Sequence, residues 1–205
     1  MPRTQKPVRL VTYSTLFPNA VQPTHGVFVE NRLRHLVASG QATSRVVAPV
    51  PWFPSKSSRF GHYAAYAQVP PWEVRHGVTV HHPRYPLLPR VGMTVAPALL
   101  AAATLSAVAA AAKAEGGADV IDAHYLYPDG VAAVMIGRML GLPVVMTARG
   151  TDVNLIPQYA VPRAMIRWAA RHAAGIVTVS SALKDALVGL DIPAERITVL
   201  RNGVD

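Results

Sequence analysis

Residues 119–147 read DVIDAHYLYPDGVAAVMIGRMLGLPVVMT, which is an apolar run, a helical stretch and a second apolar run. The apolar runs, residues 119–123 and 143–147, are rich in β-branched residues and are predicted to be buried strands. Between them, Asp129 is predicted to be the N-cap of a helix that ends at Leu140. A strand, a helix and a strand in this order predict two parallel strands joined by a crossover.

The same alternation continues on both sides of this unit. Strands are predicted at residues 8–13, 45–48, 176–179 and 197–200. Helices are predicted after Gly26, from Pro162, and after a cap at Ser181. Residues 50–90 are rich in proline and aromatic residues and are predicted to be irregular, with one short strand at 78–80. Apolar strands alternating with helices predict an α/β fold with a doubly wound, Rossmann-like parallel sheet covered on both faces.

Composition narrows the function classes. The chain has 205 residues, of which 51% are hydrophobic, and no cysteine, so it can build one domain but neither a disulfide nor a thiolate metal site. Its net charge of +9 comes mostly from scattered arginines. That charge is either a compositional bias or an attraction to a phospholipid surface or a phosphate-bearing substrate. Residues 91–112 carry no charge, but they are rich in alanine and contain Pro97, which favours a buried helix over a membrane span.

Several common catalytic motifs are absent from the sequence. No G-x-G-x-x-G follows the first strand, and neither a G-x-x-x-x-G-K-[ST] loop nor a G-x-S-x-G elbow occurs. His81 and His82 are adjacent and have no nearby carboxylate, so they are interpreted as a loop pair rather than a metal site. The sequence therefore predicts neither a metal nor a cofactor.

Candidate site residues come from the loops at the carboxyl ends of the strands, where such folds bind ligands. His25 and Gly26 close the first loop and open a helix whose N-terminus favours an anion, although the glycine could serve loop geometry alone. His124 ends another strand and is either a structural histidine or turned towards a ligand. Ser180 follows a third strand.

The segment 148–154 gathers the densest set of chemical groups. Arg149 can fork to a phosphate or a carboxylate, and Asp152 or Asn154 can bind sugar hydroxyls. Gly150 and Thr151 lie between them. The alternative is an ion pair between Arg149 and Asp152 that pins the loop.

Two basic regions allow a membrane interpretation. Arg163, Arg167 and Arg171 recur at i, i+4 and i+8, which predicts a basic stripe on one helix face that is either solvated or in contact with a membrane. Residues 52–66 mix aromatic side chains with Lys56 and Arg59, a combination found both at membrane interfaces and in loop packing.

Taken together, these motifs resemble one protein family. They are Leu16-Phe17-Pro18 and Gly26, residues 119–124, residues 147–152, residues 177–180 and the closing ITVLRNGVD of residues 197–205. In order and spacing they resemble the N-terminal domain of the family 4 glycosyltransferases, which have the two-lobed GT-B fold. The resemblance implies that residues 1–200 form a Rossmann-like acceptor-binding lobe. It also implies that residues 201–205 begin a hinge to a C-terminal donor-binding lobe.

The resemblance further implies a hexosyl transfer, with retained configuration and no metal, from a nucleotide-sugar to a cell-envelope polysaccharide or lipid-linked acceptor. We expect a cytoplasmic protein, on the inner face of the membrane where it is peripheral, with no nucleic-acid partner. The lobe alone is expected to be inactive, because both lobes stabilise the leaving diphosphate. The nominated residues are His124, Arg149 and Asp152 for catalysis; His25, Gly26, Gly150, Thr151, Asn154 and Ser180 for binding; Asn202 and Gly203 for the hinge; and Arg163, Arg167 and Arg171 for a membrane.

The chain departs from the family pattern at two places. His25-Gly26 stands where the family often has two glycines, and Arg149-Gly150 stands where it commonly has His-Gly. Arginine keeps its charge and can act only as a donor, which suits an acidic or phosphorylated acceptor.

Two other functions fit the sequence. A nucleotide-sugar epimerase of the same two-lobed fold would carry acid and base carboxylates in the cleft, for which Asp122, Asp129 and Asp152 are the candidates. A non-enzymatic module would bind a membrane or an anionic polymer through the arginine stripe.

Overall fold

The structure, a computed structural model, describes residues 6–88 and 92–201. Its strands are β1 (Val8–Tyr13), β2 (Ala42–Val47), β3 (Val50–Pro51), β4 (Trp72–Arg75), β5 (Val78–His81), β6 (Arg84–Tyr85), β7 (Val120–His124), β8 (Val144–Ala148), β9 (Gly175–Thr178) and β10 (Ile197–Val199). Its α-helices are α1 (Val27–Ala38), α2 (His62–Gln68), α3 (Gly92–Lys113), α4 (Val131–Leu140), α5 (Thr151–Asn154), α6 (Ala160–His172) and α7 (Ser181–Val188). The predicted hinge residues Asn202 and Gly203 lie outside the described residues.

The main sheet has the strand order β10-β9-β8-β7-β1-β2-β5-β4. Neighbouring strands in it are parallel except β4 and β5, which are antiparallel. The chain runs outwards from β1 in one direction and later from β7 in the other, so the strand order reverses between these two strands. Open α/β sheets bind ligands at such a switch point. The predicted doubly wound, Rossmann-like α/β fold is confirmed.

Helices cover both faces of this sheet, because alternate strand residues point to opposite sides. Val11 and Ile121 point to one side and share the larger core with Ile166 of α6 and with residues of α3 and α4. Val80 of β5 belongs to a second, smaller core that includes Leu33 of α1. These buried apolar side chains are what hold the helices to the strands.

Residues 50–90 are more regular than predicted. They contain α2 and an antiparallel hairpin of β4 and β5. The hairpin turns at His76 and Gly77, whose φ angles of 48° and 80° are both left-handed. Two such residues form the turn that best matches strand twist, and the sequence signal is weak because histidine stands where asparagine is usual. The expected irregular segment therefore supplies the antiparallel edge of the sheet.

The interpretation of His81 and His82 as a loop pair without a carboxylate is wrong. His81 ends β5 and stacks on Trp72, with 3.8 Å between the ring centroids. His82 is buried, and its Nε2 lies 2.7 Å from Oε1 of Glu73 while its Nδ1 lies 2.9 Å from the carbonyl oxygen of Ala48. The hairpin brings Glu73 back to this histidine, so the pair stabilises the sheet edge.

Helix α3 packs into the core along one face. Its residues Met93–Lys113 are long and apolar enough to cross a membrane, a property that core helices share. Leu100 and Val108 are fully buried, and Oγ1 of Thr104 lies 2.9 Å from the hydroxyl of Tyr13 in β1. These contacts fit the predicted buried helix.

Two predicted helix caps are wrong. Gly130 precedes α4, and the side chain of Asp129 is engaged elsewhere, as described below. Ser180 rather than Ser181 caps α7, because its Oγ accepts a hydrogen bond of 3.3 Å from the amide of Leu183. In both cases the sequence placed the cap one residue or more from the true helix start.

Candidate functional site

An open cleft of about 820 Å³ lies at the carboxyl ends of the central strands. The loop between β1 and α1, residues 14–26, supplies most of its wall, and Phe28 and Tyr125 contribute aromatic rings. The cleft gathers four of the predicted site residues: His25, Gly26, Arg149 and Thr151. Loop position alone therefore predicted these four of the eleven lining residues.

Gly26 brings the start of α1 against the β1–α1 loop. Its φ is +69°, and a Cβ at this position would lie 2.3 Å from the carbonyl oxygen of Leu16. Only glycine fits both the left-handed backbone and the close approach. His25 closes the same loop, since its Nε2 lies 3.1 Å from the carbonyl oxygen of Thr15. The glycine thus serves loop geometry, and that geometry sets the cleft wall.

Asp129 joins the β1–α1 loop to the segment after β7. Its carboxylate is fully buried and accepts hydrogen bonds from the amide of Thr15 at 2.8 Å and from Oγ1 of Thr15 at 3.0 Å. Burial raises the pKa of Asp129 to about 7, although hydrogen bonds from Thr15 and Ser14 act to lower it. Ser14 and Thr15 were missed by sequence reasoning, and the available signal was a pair of hydroxyls directly after a central strand.

Asp152 fixes the loop after β8 from within. Its buried carboxylate accepts hydrogen bonds from the amides of Leu126 and Gly150, each at 2.7 Å, and of Arg149 at 3.0 Å. Burial raises the pKa of Asp152, and these backbone hydrogen bonds oppose the rise. These hydrogen bonds from backbone amides pin the loop.

The remaining residues of this loop have different positions. Gly150 precedes α5 with a φ of +139°, which favours glycine. Thr151 lines the cleft, whereas Asn154 is exposed at the end of α5 and is not part of the lining. Ser180 is half-buried and is used as the cap of α7. Asn154 and Ser180 therefore lie away from the other predicted binding residues.

The three arginines of α6 differ from one another. Arg167 is half-buried, donates from Nε to the carbonyl oxygen of Leu190 at 2.9 Å and pairs with Asp191. Arg163 is half-buried and Arg171 is exposed. The predicted stripe is therefore uneven, because Arg167 ties α6 to the turn that follows α7.

His124 lies between Asp122 and Arg149. Its side chain is 1% exposed, its Nε2 lies 3.1 Å from Oδ2 of Asp122, and its Nδ1 lies 2.7 Å from Nη2 of Arg149. Asp122 and His124 share one face because they are two residues apart in β7. In the register of β7 and β8, His124 stands opposite Thr147, two residues before Arg149. Sheet geometry thus brings the three side chains together.

Arg149 reaches the cleft from the end of β8. Its guanidinium carbon lies 4.9 Å from the ring centroid of Phe28, within the range of a cation–π contact. Burial and the nearby charge of Arg32 lower its pKa to about 10, while Asp122 and Asp152 raise it, so it keeps its charge at neutral pH. Burial acts to raise the pKa of Asp122, but His124, Arg32 and Arg149 lower it overall.

Tyr125 is a further cleft residue that sequence reasoning missed. It has a φ of 81°, which is uncommon for a residue with a side chain, and it lines the cleft. Burial raises the pKa of the Tyr125 hydroxyl, while a hydrogen bond with Thr151 acts to lower it. Strained backbone of this kind clusters at functional sites, and the only sequence signal was its place directly after His124.

The described residues contain no group of three or more histidine, aspartate or glutamate side chains arranged as metal ligands. The charged groups of the cleft region are instead arranged as the hydrogen-bonded set described above. That set can bind an anionic or hydroxyl-rich ligand through Arg149 and the loop amides.

Comparisons with known proteins agree with this architecture. Residues 25–205 match the family model of Glycosyltransferase Family 4. Over 155 residues, 75% of this chain, it is 26% identical to a Bacillus subtilis glycosyltransferase assigned to teichuronic acid biosynthesis, TuaC. The aligned part is 39% of that relative, so the chain spans well under half of its length.

Solved structures show the same fold at low sequence identity. Anabaena HepE, solved in complex with UDP, has a TM-score of 0.53 and 15% identity, and the match covers 97% of this chain and 44% of that chain. UDP-GlcNAc 2-epimerase of Methanocaldococcus jannaschii has a TM-score of 0.55 and 10% identity over 95% of this chain and 46% of that one. The fold alone does not distinguish these proteins from one another. The family match is more specific, and it shows that this chain belongs to glycosyltransferase family 4.

Proposed function

We propose that this chain is the acceptor-binding half of a retaining hexosyltransferase that uses a nucleotide-sugar donor. The observation that carries the proposal is the open cleft at the β1–β7 switch point, lined by Arg149 and by the N-terminus of α1. Both features favour an anionic group such as a sugar phosphate. Family membership supports sugar transfer, and the UDP complex of Anabaena HepE supports a nucleotide-sugar donor of that kind.

In this proposal Arg149 is the residue that touches substrate. His124 and Asp152 act through Arg149. Nδ1 of His124 accepts a hydrogen bond from its guanidinium, and the carboxylate of Asp152 accepts one from its backbone amide. His25, Gly26 and the loop amides shape the opposite wall. The proposed reaction uses no metal or other cofactor.

The proposal assigns donor binding to a second lobe that follows a hinge at residues 201–205. It draws support from the relatives, since the match covers 39% of the Bacillus protein and 44% of Anabaena HepE. A leaving diphosphate needs preorganised donors around it, and this chain lines only one side of the proposed site. We therefore expect residues 1–205 alone to have no measurable turnover.

We propose a cell-envelope polysaccharide or a lipid-linked intermediate as the acceptor, at the inner face of the cell membrane. The net charge of +9 and the arginines of α6 support attraction to an anionic surface. The teichuronic acid assignment of the Bacillus relative supports an envelope polymer.

Epimerisation is the second candidate, because epimerases share the fold. It needs acid and base carboxylates in the cleft. Asp129 and Asp152 are fully buried and accept hydrogen bonds from neighbouring loops. Asp122 is hydrogen-bonded to His124. None of the three lines the cleft in the described residues. This arrangement favours transfer over epimerisation.

The experiment is a transfer assay with the natural protein that carries this chain. Radiolabelled nucleotide-sugars are incubated with membrane and cell-wall extracts, and the products are separated into polymer, lipid and nucleotide-sugar fractions. We expect label in polymer or lipid for the natural protein and none for residues 1–205 alone. An epimerised nucleotide-sugar formed without any acceptor would replace this proposal with the epimerase.

A further inference from the structure

Asp122, His124 and Arg149 form a hydrogen-bonded relay from the sheet to the cleft. Arg149 has only N–H donors, so Nδ1 of His124, 2.7 Å from its Nη2, must be an unprotonated acceptor. The ring proton is then on Nε2, which donates to Oδ2 of Asp122 at 3.1 Å. His124 is therefore a neutral imidazole of fixed tautomer, with both nitrogens engaged. In this state it orients Arg149 and does not act as an acid or base.

The relay restricts where the guanidinium can lie. Nη2 of Arg149 donates a hydrogen bond to Nδ1 of His124, and the ring centroid of Phe28 lies 4.9 Å from the guanidinium carbon. The backbone amide of Arg149 is held separately by Asp152. An arginine side chain otherwise has several rotatable bonds, so these contacts reduce the entropy that it loses on binding a ligand.

The side chains that line the cleft in the described part of the chain carry positive charge but no negative charge. Among the described residues that line it, Arg149 is the group with a permanent charge, and no carboxylate lines it. The N-terminus of α1 adds a partial positive charge at Gly26 and Phe28, which also line the cleft. Arg32 contributes further positive potential, since its charge acts on both Asp122 and Arg149.

We propose that the Asp122–His124–Arg149 relay presents Arg149 as the binding site for an oxyanion carried by the sugar substrate, a carboxylate or a phosphate. The planar fork of arginine matches either group, and a charge-assisted pair in a partly buried cleft discriminates strongly against a neutral sugar. The inference rests on the proposed function for the identity of the ligand as a sugar. It names acidic sugars as the substrate class.

Equilibrium binding to the natural protein tests the site. The probes are glucose, glucuronate and glucose 1-phosphate, and the variants are Arg149→Gln and, as a matched control, Arg34→Gln on the exposed part of α1. We expect at least one of the two anionic probes to bind about tenfold or more tightly than glucose, and Arg149→Gln to remove that preference. Whichever anionic probe binds more tightly identifies the group as carboxylate or phosphate.

Equal binding of all three probes would overturn the proposal, and so would a preference that survives in Arg149→Gln or disappears in Arg34→Gln. The outcome is separable from that of the proposed function. If the wild-type protein transfers sugar but shows no anion preference, only this inference is removed. An Arg149-dependent anion preference in a protein that transfers no sugar removes the proposed function and leaves the oxyanion site.

His124 is tested as a positioning residue by two readouts. His124→Asn keeps an acceptor oxygen close to the place of Nδ1 and should retain the anion preference, whereas His124→Leu should lose most of it. The ¹⁵N spectrum of the wild-type ring should show protonated Nε2 and unprotonated Nδ1. A doubly protonated ring at neutral pH would contradict the relay even if His124→Leu fails to fold.

Discussion

Nη2 of Arg149 lies 2.7 Å from Nδ1 of His124, and this contact joins the ends of two neighbouring strands. Both residues were nominated from the sequence because each follows an apolar run. Their contact follows from the parallel register of β7 and β8, in which His124 stands opposite Thr147. Because arginine donates, the contact fixes which nitrogen of His124 carries the proton. In the proposed site, His124 is therefore a positioning residue rather than the catalytic residue expected from the sequence.

Asp129 should make stability depend on pH. Burial raises its pKa to about 7 in the folded chain from the ordinary value of 3.8, so between these two pH values the folded state holds a proton that the unfolded state has lost. Stability from this group is therefore full below about pH 4 and is lost as the pH rises to about 7. Asp129→Asn removes the ionisation, so its melting temperature relative to wild type should rise between pH 5 and pH 8.

The control for this prediction is Asp185→Asn, a change of the same kind at an exposed position of α7. Its melting temperature should follow that of the wild type at every pH. A difference between Asp129→Asn and wild type that stays constant from pH 5 to pH 8 would show that Asp129 does not titrate in this range.

Gly26→Ala should destabilise the chain more than Gly40→Ala. Both glycines have left-handed φ angles, +69° and +72°, so both changes carry the backbone strain of about 1–2 kcal/mol. A Cβ at residue 26 would in addition lie 2.3 Å from the carbonyl oxygen of Leu16, whereas nothing lies within 4 Å at residue 40. Chemical denaturation measures both losses, and equal losses would mean that the β1–α1 loop yields without cost.

Asp152→Ala should destabilise the loop after β8 locally. The change leaves the amides of Leu126, Arg149 and Gly150 without their acceptor, at a cost of about 1–3 kcal/mol for each buried group. Hydrogen exchange of these three amides should speed up. The amide of Val177 in β9 serves as an internal reference. If its hydrogen exchange speeds up by the same factor as that of the three amides, the opening is global rather than local.

The folded core could be predicted from the sequence more completely than its edges. Apolar runs at residues 119–123 and 143–147 are buried by a parallel sheet, so their pattern reports their structure directly. The β4–β5 hairpin was missed because its turn uses His76 before Gly77, a pair without the usual asparagine signal. Without the hairpin, nothing in the sequence brings Glu73 to His82.

The sequence indicated where several of the nominated residues lie, but not which groups they contact. Loop position alone nominated Arg149, but it could not show that the carboxylate of Asp152 bonds backbone amides, because backbone donors leave no trace in side-chain identity. Asp129 was assigned to a helix start for its residue type. The structure instead places its carboxylate against Thr15, more than a hundred residues earlier in the chain, a contact that only the β1–β7 pairing creates.

A membrane role for α6 can be tested without disturbing the fold. Arg167 is tied to Leu190 and Asp191, so it is kept, and Arg163 and Arg171 are both changed to glutamate. We expect binding of the natural protein to vesicles rich in anionic lipid to fall, because each basic residue near such a surface contributes about 1 kcal/mol.

The matched control for α6 is Arg34→Glu with Arg138→Glu, which makes the same change in charge at exposed positions of α1 and α4. If both double variants lose binding equally, the net charge rather than α6 is responsible. If neither loses binding, the predicted stripe is simply a solvated helix face.

The rate of sugar transfer by the natural protein, compared between wild type, Arg149→Gln and Arg34→Gln, tests the proposed cleft most directly. Removing one preorganised charged donor from a transfer site typically lowers the rate by about 100-fold or more. We expect a loss of that order for Arg149→Gln, with Arg34→Gln close to wild type. Transfer by Arg149→Gln at the wild-type rate would show that the sugar substrate does not use this cleft.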